Sequence, residues 1–171
     1  MMQMLAAGGM PLLTDSERKP DADNPKGYCE WERVKLLPKE PNAIDEAEGK
    51  VVKIITQLLL YLPEGRDYRV IFMERPLAEV LASQDEMLRR RGKSDALSHD
   101  LMAAAFQKHL KEVVAWFMDR PTIPILRVGY RRVLQNPMQS AEALKDFLAI
   151  DLNVEAMARE VDPSLYRNRS A

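Results

Sequence analysis

The sequence predicts an α/β protein with three layers, in which a mostly parallel sheet is flanked by helices on both faces. Three short runs rich in β-branched residues, at residues 51–55, 68–73 and 123–128, are predicted strands. The second and third are separated by a long stretch whose apolar residues recur at helical spacing. Strands joined by long helical crossovers pair in parallel, and helices cover both faces of such a sheet. A chain of 171 residues suffices for one domain, so residues 1–171 are expected to form a single domain around one core.

The N-terminal part of the sequence alternates helical and irregular segments. Residues 1–7 are rich in helix formers and are followed by Gly8-Gly9, a common helix end, but no capping residue precedes them. This pattern predicts a helix without its capped first turn. Residues 14–28 are polar and contain prolines and a glycine, which predicts a loop ahead of a short helix over residues 30–37.

Four helices are predicted after the second strand. Each is indicated by apolar residues at helical spacing, by a proline in the first turn or by a capping asparagine. The first of them ends at a basic run, which suits the negative end of the helix dipole. The predicted helices cover residues 76–91, 97–118 and 137–148, and a short stretch after Asn153.

The charge and cysteine content exclude several classes of partner and site. The 25 basic and 26 acidic side chains nearly cancel, so no overall field would attract nucleic acid and any anion site must be local. Cys29 is the single cysteine and cannot form an intramolecular disulfide, which is typical of cytoplasmic proteins. No segment reaches the ~18 apolar residues of a membrane span, and no basic stretch of the signal-peptide kind is present at the start.

The histidines and tryptophans are predicted to have structural roles. His99 and His109 are ten residues apart on one predicted helix, a spacing that places them on different faces. No cluster of cysteines or carboxylates accompanies them, so both are expected at the surface and no metal is expected. Trp31 and Trp116 are expected to pack in the core.

Arg75 is the first candidate binding residue. Ligands of open parallel sheets bind beyond the carboxyl ends of the strands, and Arg75 follows the second predicted strand and precedes a helix. A guanidinium beside helix N–H groups can hold a phosphate, and Ser83, eight residues later, can add a hydroxyl donor. An ion pair from Arg75 to Glu74 or Glu79, with Ser83 only packing on its helix, accounts for the same residues equally well.

Arg75 and Ser83 belong to a series of short motifs spread over nearly the whole chain. The motifs are Val70-Ile71-Phe72-Met73-Glu74-Arg75, Ile125-Leu126-Arg127-Val128-Gly129-Tyr130, Asn136-Pro137, Phe147-Leu148 and Leu165-Tyr166-Arg167-Asn168-Arg169. Each motif is weak alone, but their order and spacing resemble the sulfotransferase family, most of all its bacterial members. The resemblance implies a P-loop-type fold and the co-substrate 3′-phosphoadenosine 5′-phosphosulfate, whose 3′-phosphate such an Arg and Ser hold.

The resemblance also marks what this sequence lacks. The family places a strand and a Gly-x-Pro-Arg-Ser-Gly-Thr type loop, which binds the 5′-phosphosulfate, directly before a helix similar to residues 1–7. The sequence contains neither, so it resembles a sulfotransferase that starts just after the loop, and the uncapped first helix favours truncation. The absent strand would leave an unpaired sheet edge, which could join chains into a homo-oligomer.

The catalytic residues implied by the resemblance are Glu30 and Lys53. Lys53 resembles the lysine of the family's Lys-Thr-His strand and would offset charge on the transferring group, but Ile55 stands near the position of the histidine base. Some members use a glutamate instead, and the segment Asn-Pro-Lys-Gly-Tyr-Cys-Glu at residues 24–30 resembles theirs, which implies Glu30 as the base. An exposed Glu30 at a loop or helix start accounts for this residue equally well.

Arg167 and Arg169 resemble a basic C-terminal segment that closes over the phosphate of the nucleotide. A solvated tail accounts for them equally well.

The expected function is transfer of a sulfuryl group from the phosphosulfate nucleotide to an unidentified hydroxyl or amine acceptor, with impaired activity in this chain. The alternative is a non-catalytic nucleotide-binding or protein-interaction module that has kept the fold. A kinase-like phosphoryl transferase ranks last, because it needs the same absent loop and a set of Mg²⁺ carboxylates that is not evident.

Overall fold

A parallel pair of strands lies between two groups of helices. The computed structural model of the chain describes residues 1–15, 17–21, 24–90 and 99–166. The helices are α1 (Met2–Ala7), α2 (Thr56–Leu59), α3 (Leu77–Arg90), α4 (His99–Met118), α5 (Tyr130–Gln135), α6 (Pro137–Leu148) and α7 (Val154–Arg159). The strands are β1 (Val70–Glu74) and β2 (Ile125–Gly129), and 3-10 turns cover Glu32–Leu36, Pro41–Ala47 and Pro163–Leu165.

The two strands pair in parallel, as the sequence predicts. Val70 lies opposite Ile125 and Glu74 lies opposite Gly129, and α3 and α4 form the connection between the strands. β2 begins after Pro124, which has no N–H to donate to a ladder but accepts a hydrogen bond of 2.9 Å from the Val70 N–H. The α/β class and the parallel pairing are therefore confirmed, with a sheet of two strands among the described residues.

The strand predicted over residues 51–55 is wrong. Val51 makes a single parallel bridge to Leu12, in which the Leu13 N–H donates to the Val51 carbonyl at 2.8 Å. Residues 52–55 belong to no strand, although Ile55 has extended backbone angles. β-branched residues become a strand only where a second strand pairs with them, and the chain instead enters α2 at Thr56.

The buried apolar side chains form two clusters, whereas the sequence predicts one core. Ile71 packs against the first cluster and Phe72 against the second, and successive side chains of a strand point to opposite faces, so the clusters lie on the two faces of the sheet. The first contains Met4, Leu5, Val128, Val133, Ala141, Leu144, Leu152 and Met157. The second contains Trp31, Val34, Leu37, Ile44, Leu59, Leu62, Val113 and Trp116, which confirms the buried positions expected of both tryptophans.

Helices α1 and α7 pack closely in the first cluster because Gly8 has no side chain. A Cβ at this position would lie 2.7 Å from Cγ of Met157, which is fully buried. The Asn153 N–H donates to the Gly8 carbonyl at 3.0 Å, and the Asn153 side chain accepts from the Ala156 N–H at 2.9 Å. The predicted cap by Asn153 is therefore confirmed, and it fixes α7 against α1.

The remaining predictions of helices differ mainly in their ends. The first helix, the two long helices and the helix from Pro137 are confirmed where the structure describes them. The helix predicted over residues 30–37 is a shorter 3-10 turn, Glu32–Leu36, because Pro38 follows. Helices α2 and α5 have only four and six residues, too few for a periodic pattern to indicate them. No helix of the described residues is long and apolar enough to cross a membrane.

Candidate functional site

Four of the candidate residues line one large cleft. It has a volume of about 2030 Å³ and is lined by Glu30, Lys53, Arg75 and Ser83 among others. Its walls include the start of α1, the turn before Glu30, the extended residues 51–55 and strand β1. A smaller depression of about 450 Å³ between Arg33 and Glu46 contains none of the candidates. Four residues proposed from three motifs therefore line the same cleft, as do about a third of the described residues.

Glu30 and Lys53 form an ion pair on one wall of the cleft. The Lys53 ammonium donates to Glu30 Oε1 at 3.0 Å and to the Tyr28 carbonyl at 3.1 Å. Cys29, between these two acceptors, has a φ of 48°, a left-handed conformation that is costly for a residue with a Cβ. The resulting sharp turn brings the Tyr28 carbonyl and the Glu30 carboxylate to the same ammonium group.

Arg18 completes the cluster and was not identified from the sequence. Its guanidinium donates to Glu30 at 3.2 Å and stacks on the Tyr28 ring, with Cζ 3.3 Å from the ring centroid. The Tyr28 hydroxyl in turn donates to Asp21 at 2.7 Å, and burial together with this bond raises the pKa of the hydroxyl. Because Arg18 lies in the polar loop, no periodicity or motif indicated that it would reach Glu30.

The surrounding cations alter the acidity of Glu30. Burial raises the pKa of the Glu30 carboxyl, but the hydrogen bond from Lys53 and the charges of Lys53 and Arg18 outweigh burial and hold the pKa below its usual value. The carboxylate is therefore ionised at neutral pH, and it is a weaker base than an unpaired glutamate. This geometry suits the binding of cations or of hydrogen-bond donors better than it suits proton abstraction.

The lowered pKa of Glu30 gives a prediction for stability against pH. A carboxyl whose folded pKa lies below its unfolded pKa of about 4.3 stabilises the fold above that pH, and the contribution is lost as pH falls through the folded pKa. Urea unfolding should therefore show Glu30→Gln to be less stable than the wild type at pH 7, with the difference shrinking as pH falls below about 5. Glu155→Gln, at an exposed pair, is the control. A difference for Glu30→Gln that stays constant from neutral to acidic pH would contradict the ion pair.

Arg75 lies at the carboxyl end of β1, where the strand rule places it. It is held there by Glu79, one turn into α3, whose Oε2 accepts from Arg75 Nε at 3.0 Å. The Arg75 guanidinium also lies over the rings of Tyr130 and Tyr166, at 5.1 and 5.7 Å from their centroids. Of the two interpretations of Arg75, the ion pair to Glu79 is thus present, and Arg75 lines the cleft at the same time.

Glu79 is the centre of a buried polar network. Its side chain has no exposed surface, and Oε1 accepts from the Tyr166 hydroxyl at 2.6 Å and from Arg131 Nε at 2.8 Å. Tyr166 also packs edge-to-face on Tyr130 at 5.5 Å. The network links α3 and α5 to the segment near the C-terminus and fixes the orientation of Arg75. Arg131 and Tyr166 were not predicted to have these contacts, since both come from segments far from Glu79 in the sequence.

Of the other candidates, only Ser83 is among the described residues. Ser83 lies on α3 two turns after Arg75 and lines the cleft, partly exposed. Arg167 and Arg169 lie outside the described residues, so their predicted contact with a phosphate stays a prediction. No group of three or more histidine, cysteine or acidic side chains in the described part of the chain has the arrangement of a metal site.

His109 is not the surface residue that the sequence predicts. Its side chain is only 14% exposed, and its Nε2 lies 2.8 Å from the Thr56 hydroxyl, which belongs to the wall of the cleft. On the other side of the ring, Nδ1 lies 3.5 Å from Glu112. The spacing of the two histidines could not indicate the position of His109, because its partner, Thr56, lies on another helix. The side chain of His99 lies outside the described residues.

Comparison with known proteins does not add a family to these observations. No family model matches the chain, and the searches of the curated proteins and of the solved structures returned no match either. The assignment of a function to the cleft therefore rests on the residues that line it.

Proposed function

We propose that the cleft binds a 3′-phosphoadenosine nucleotide and that the chain has the chemistry of a sulfotransferase, moving a sulfuryl group from the phosphosulfate nucleotide to a hydroxyl or amine. The observation that carries the proposal is the convergence of Glu30, Lys53, Arg75 and Ser83 on one cleft. These residues come from three separate segments, since Arg75 and Ser83 belong to one motif, and the resemblance to sulfotransferases predicted all four. Ligand pockets usually measure about 300–1,000 Å³, so a cleft of about 2030 Å³ has room for a nucleotide and an acceptor together.

The proposed roles follow from the chemistry of the groups. Arg75 is held rigidly by Glu79 and two aromatic rings, and a fixed guanidinium binds a phosphate with little loss of side-chain entropy. Ser83 adds a hydroxyl donor from the same helix. Lys53 lines the same cleft and supplies positive charge for the transferring group, which would carry negative charge.

Calorimetric titration with adenosine 3′,5′-bisphosphate tests the proposal. Arg75→Ala should weaken binding by about 10- to 150-fold, the effect of losing a hydrogen bond between charged groups. Adenosine 5′-monophosphate, which lacks the 3′-phosphate, should bind both proteins equally. Arg159→Ala is the matched control, because Arg159 pairs with Glu155 on the exposed side of α7 and does not line the cleft. If the folded wild type does not bind the bisphosphate, the proposed nucleotide site is disproved.

The second candidate is a protein-interaction module without catalysis, and the surface of the chain favours it. Strand β1, rich in apolar residues, borders the cleft, and Met73 and Ile55 in its walls are 36% and 54% exposed. Absence of bisphosphate binding, together with binding of an extended apolar peptide along β1, would favour this candidate.

A further inference from the structure

A hydroxyl, an imidazole and a carboxylate follow one another beside the cleft. The Thr56 hydroxyl lies at the start of α2 and lines the cleft, and His109 Nε2 lies 2.8 Å behind it. Glu112, one turn further along α4, places Oε2 3.5 Å from His109 Nδ1. The described contacts between α2 and α4 hold the three groups together. None of the roles proposed for Glu30, Lys53 or Arg75 uses them.

One tautomer of His109 allows Thr56 to donate its proton to the ring. In this tautomer the proton of a neutral ring lies on Nδ1, which is 3.5 Å from the Glu112 carboxylate. Nε2 is then an acceptor, and the Thr56 hydroxyl donates to it at 2.8 Å, since its other acceptor, Gln57 Oε1, is at 3.4 Å. The lone pairs of Thr56 Oγ1 that remain are available to a donor in the cleft.

We propose that Thr56 and His109 together accept the proton of the hydroxyl or amine that receives the sulfuryl group. The inference rests on the proposed function. As the bond from the acceptor to sulfur forms, the acceptor proton passes to Thr56 Oγ1 and the Thr56 proton passes to His109 Nε2. The bond between sulfur and the 5′-phosphate oxygen breaks, and adenosine 3′,5′-bisphosphate leaves. Glu112 stabilises the imidazolium that forms.

This pair fits the role of a base better than Glu30 does. The Glu30 carboxylate accepts hydrogen bonds from two cations, Lys53 at 3.0 Å and Arg18 at 3.2 Å, and these bonds stabilise its ionised form. His109 instead has a hydroxyl on one side, from which it can take a proton, and a carboxylate on the other. Lys53, three residues before Thr56, is paired with Glu30 and belongs to the same segment of the chain as Thr56.

Reaction with benzenesulfonyl fluoride tests the activation of Thr56 without any nucleotide. The hydroxyl oxygen bonds to sulfur, fluoride leaves and His109 takes up the proton, so modified Thr56 can be identified by peptide mass spectrometry. Thr56 should be modified in the wild type, and His109→Gln should slow the reaction by about 100-fold, the size of a general-base effect. Thr56→Val should remove the modification. His99→Gln, at the only other histidine of the sequence, should react as the wild type does.

Two further measurements keep the result interpretable. Adenosine 3′,5′-bisphosphate should bind His109→Gln as it binds the wild type. If the wild type does not bind the bisphosphate, the proposed function is overturned, whereas the reaction with benzenesulfonyl fluoride still tests the activation of Thr56 by His109. In nitrogen-15 NMR spectra of the wild type, His109 should carry its proton on Nδ1, whatever the stability of the variants. The relay is overturned if Thr56 of the folded wild type stays unmodified, if His109→Gln reacts equally fast, or if the His109 proton lies on Nε2.

Discussion

Glu79→Ala is expected to destabilise the protein by about 1.5–3 kcal/mol, the loss typical of a hydrogen bond to a charged group, because its arginine partners are partly exposed. The Glu79 side chain is fully buried and accepts hydrogen bonds from Arg75, Arg131 and Tyr166. Its removal takes away the buried carboxylate that both guanidinium groups contact and also creates a cavity at the start of α3. The free energy of unfolding, measured by urea titration, should fall accordingly.

Two controls separate the buried network from a simple change of charge. Glu155→Ala removes a carboxylate from an exposed pair and should change the unfolding free energy by less than about 0.5 kcal/mol. Tyr166→Phe removes the hydrogen bond that the hydroxyl donates to Glu79 and the one that it accepts from Arg131, and should cost about 1–2 kcal/mol. If Glu79→Ala is no more destabilising than Glu155→Ala, the network does not hold the end of β1, and Arg75 has no fixed position.

Trp116→Ala should destabilise the protein by about 3–5 kcal/mol, as large-to-small changes of buried aromatic residues do. Trp116 is 7% exposed in the second apolar cluster, packs edge-to-face on Phe117 at 5.2 Å and lies under the guanidinium of Arg120. It lies on α4 two turns after His109, so its packing also positions the relay to Thr56. The change in unfolding free energy can be followed by far-UV circular dichroism.

Trp116→Phe is the informative comparison for this site. Among the described residues the Trp116 Nε1–H has no hydrogen-bond acceptor, and an unsatisfied buried donor costs about 1–3 kcal/mol. Phenylalanine keeps an aromatic ring and removes this donor, so the loss should be only about 1–2 kcal/mol. A Trp116→Phe variant as unstable as Trp116→Ala would mean that the indole N–H has a partner. Leu144→Ala, in the first cluster, should shift the same unfolding transition if both clusters belong to one domain.

The regular elements of the fold could be predicted because their signals are local. The β-branched run before Arg75 predicts β1, the periodic residues after Pro76 predict α3, and Asn153 caps α7 as expected. The run at residues 51–55 has the same local signal but pairs only at Val51, because strand formation depends on a partner elsewhere in the chain. The sequence pattern therefore predicts where a strand can form, and pairing decides whether it does.

The sequence by itself determined the parallel α/β class and the position of Arg75 at the end of a strand, since both follow from periodicity and chain order. Only the tertiary structure decided the partners of the functional side chains. It paired Arg75 with Glu79, surrounded Glu30 with two cations, and joined His109 to a threonine 53 residues away. Contacts between residues distant in sequence arise from the packing of helices and loops, and packing leaves no periodic signal in the segments that it brings together.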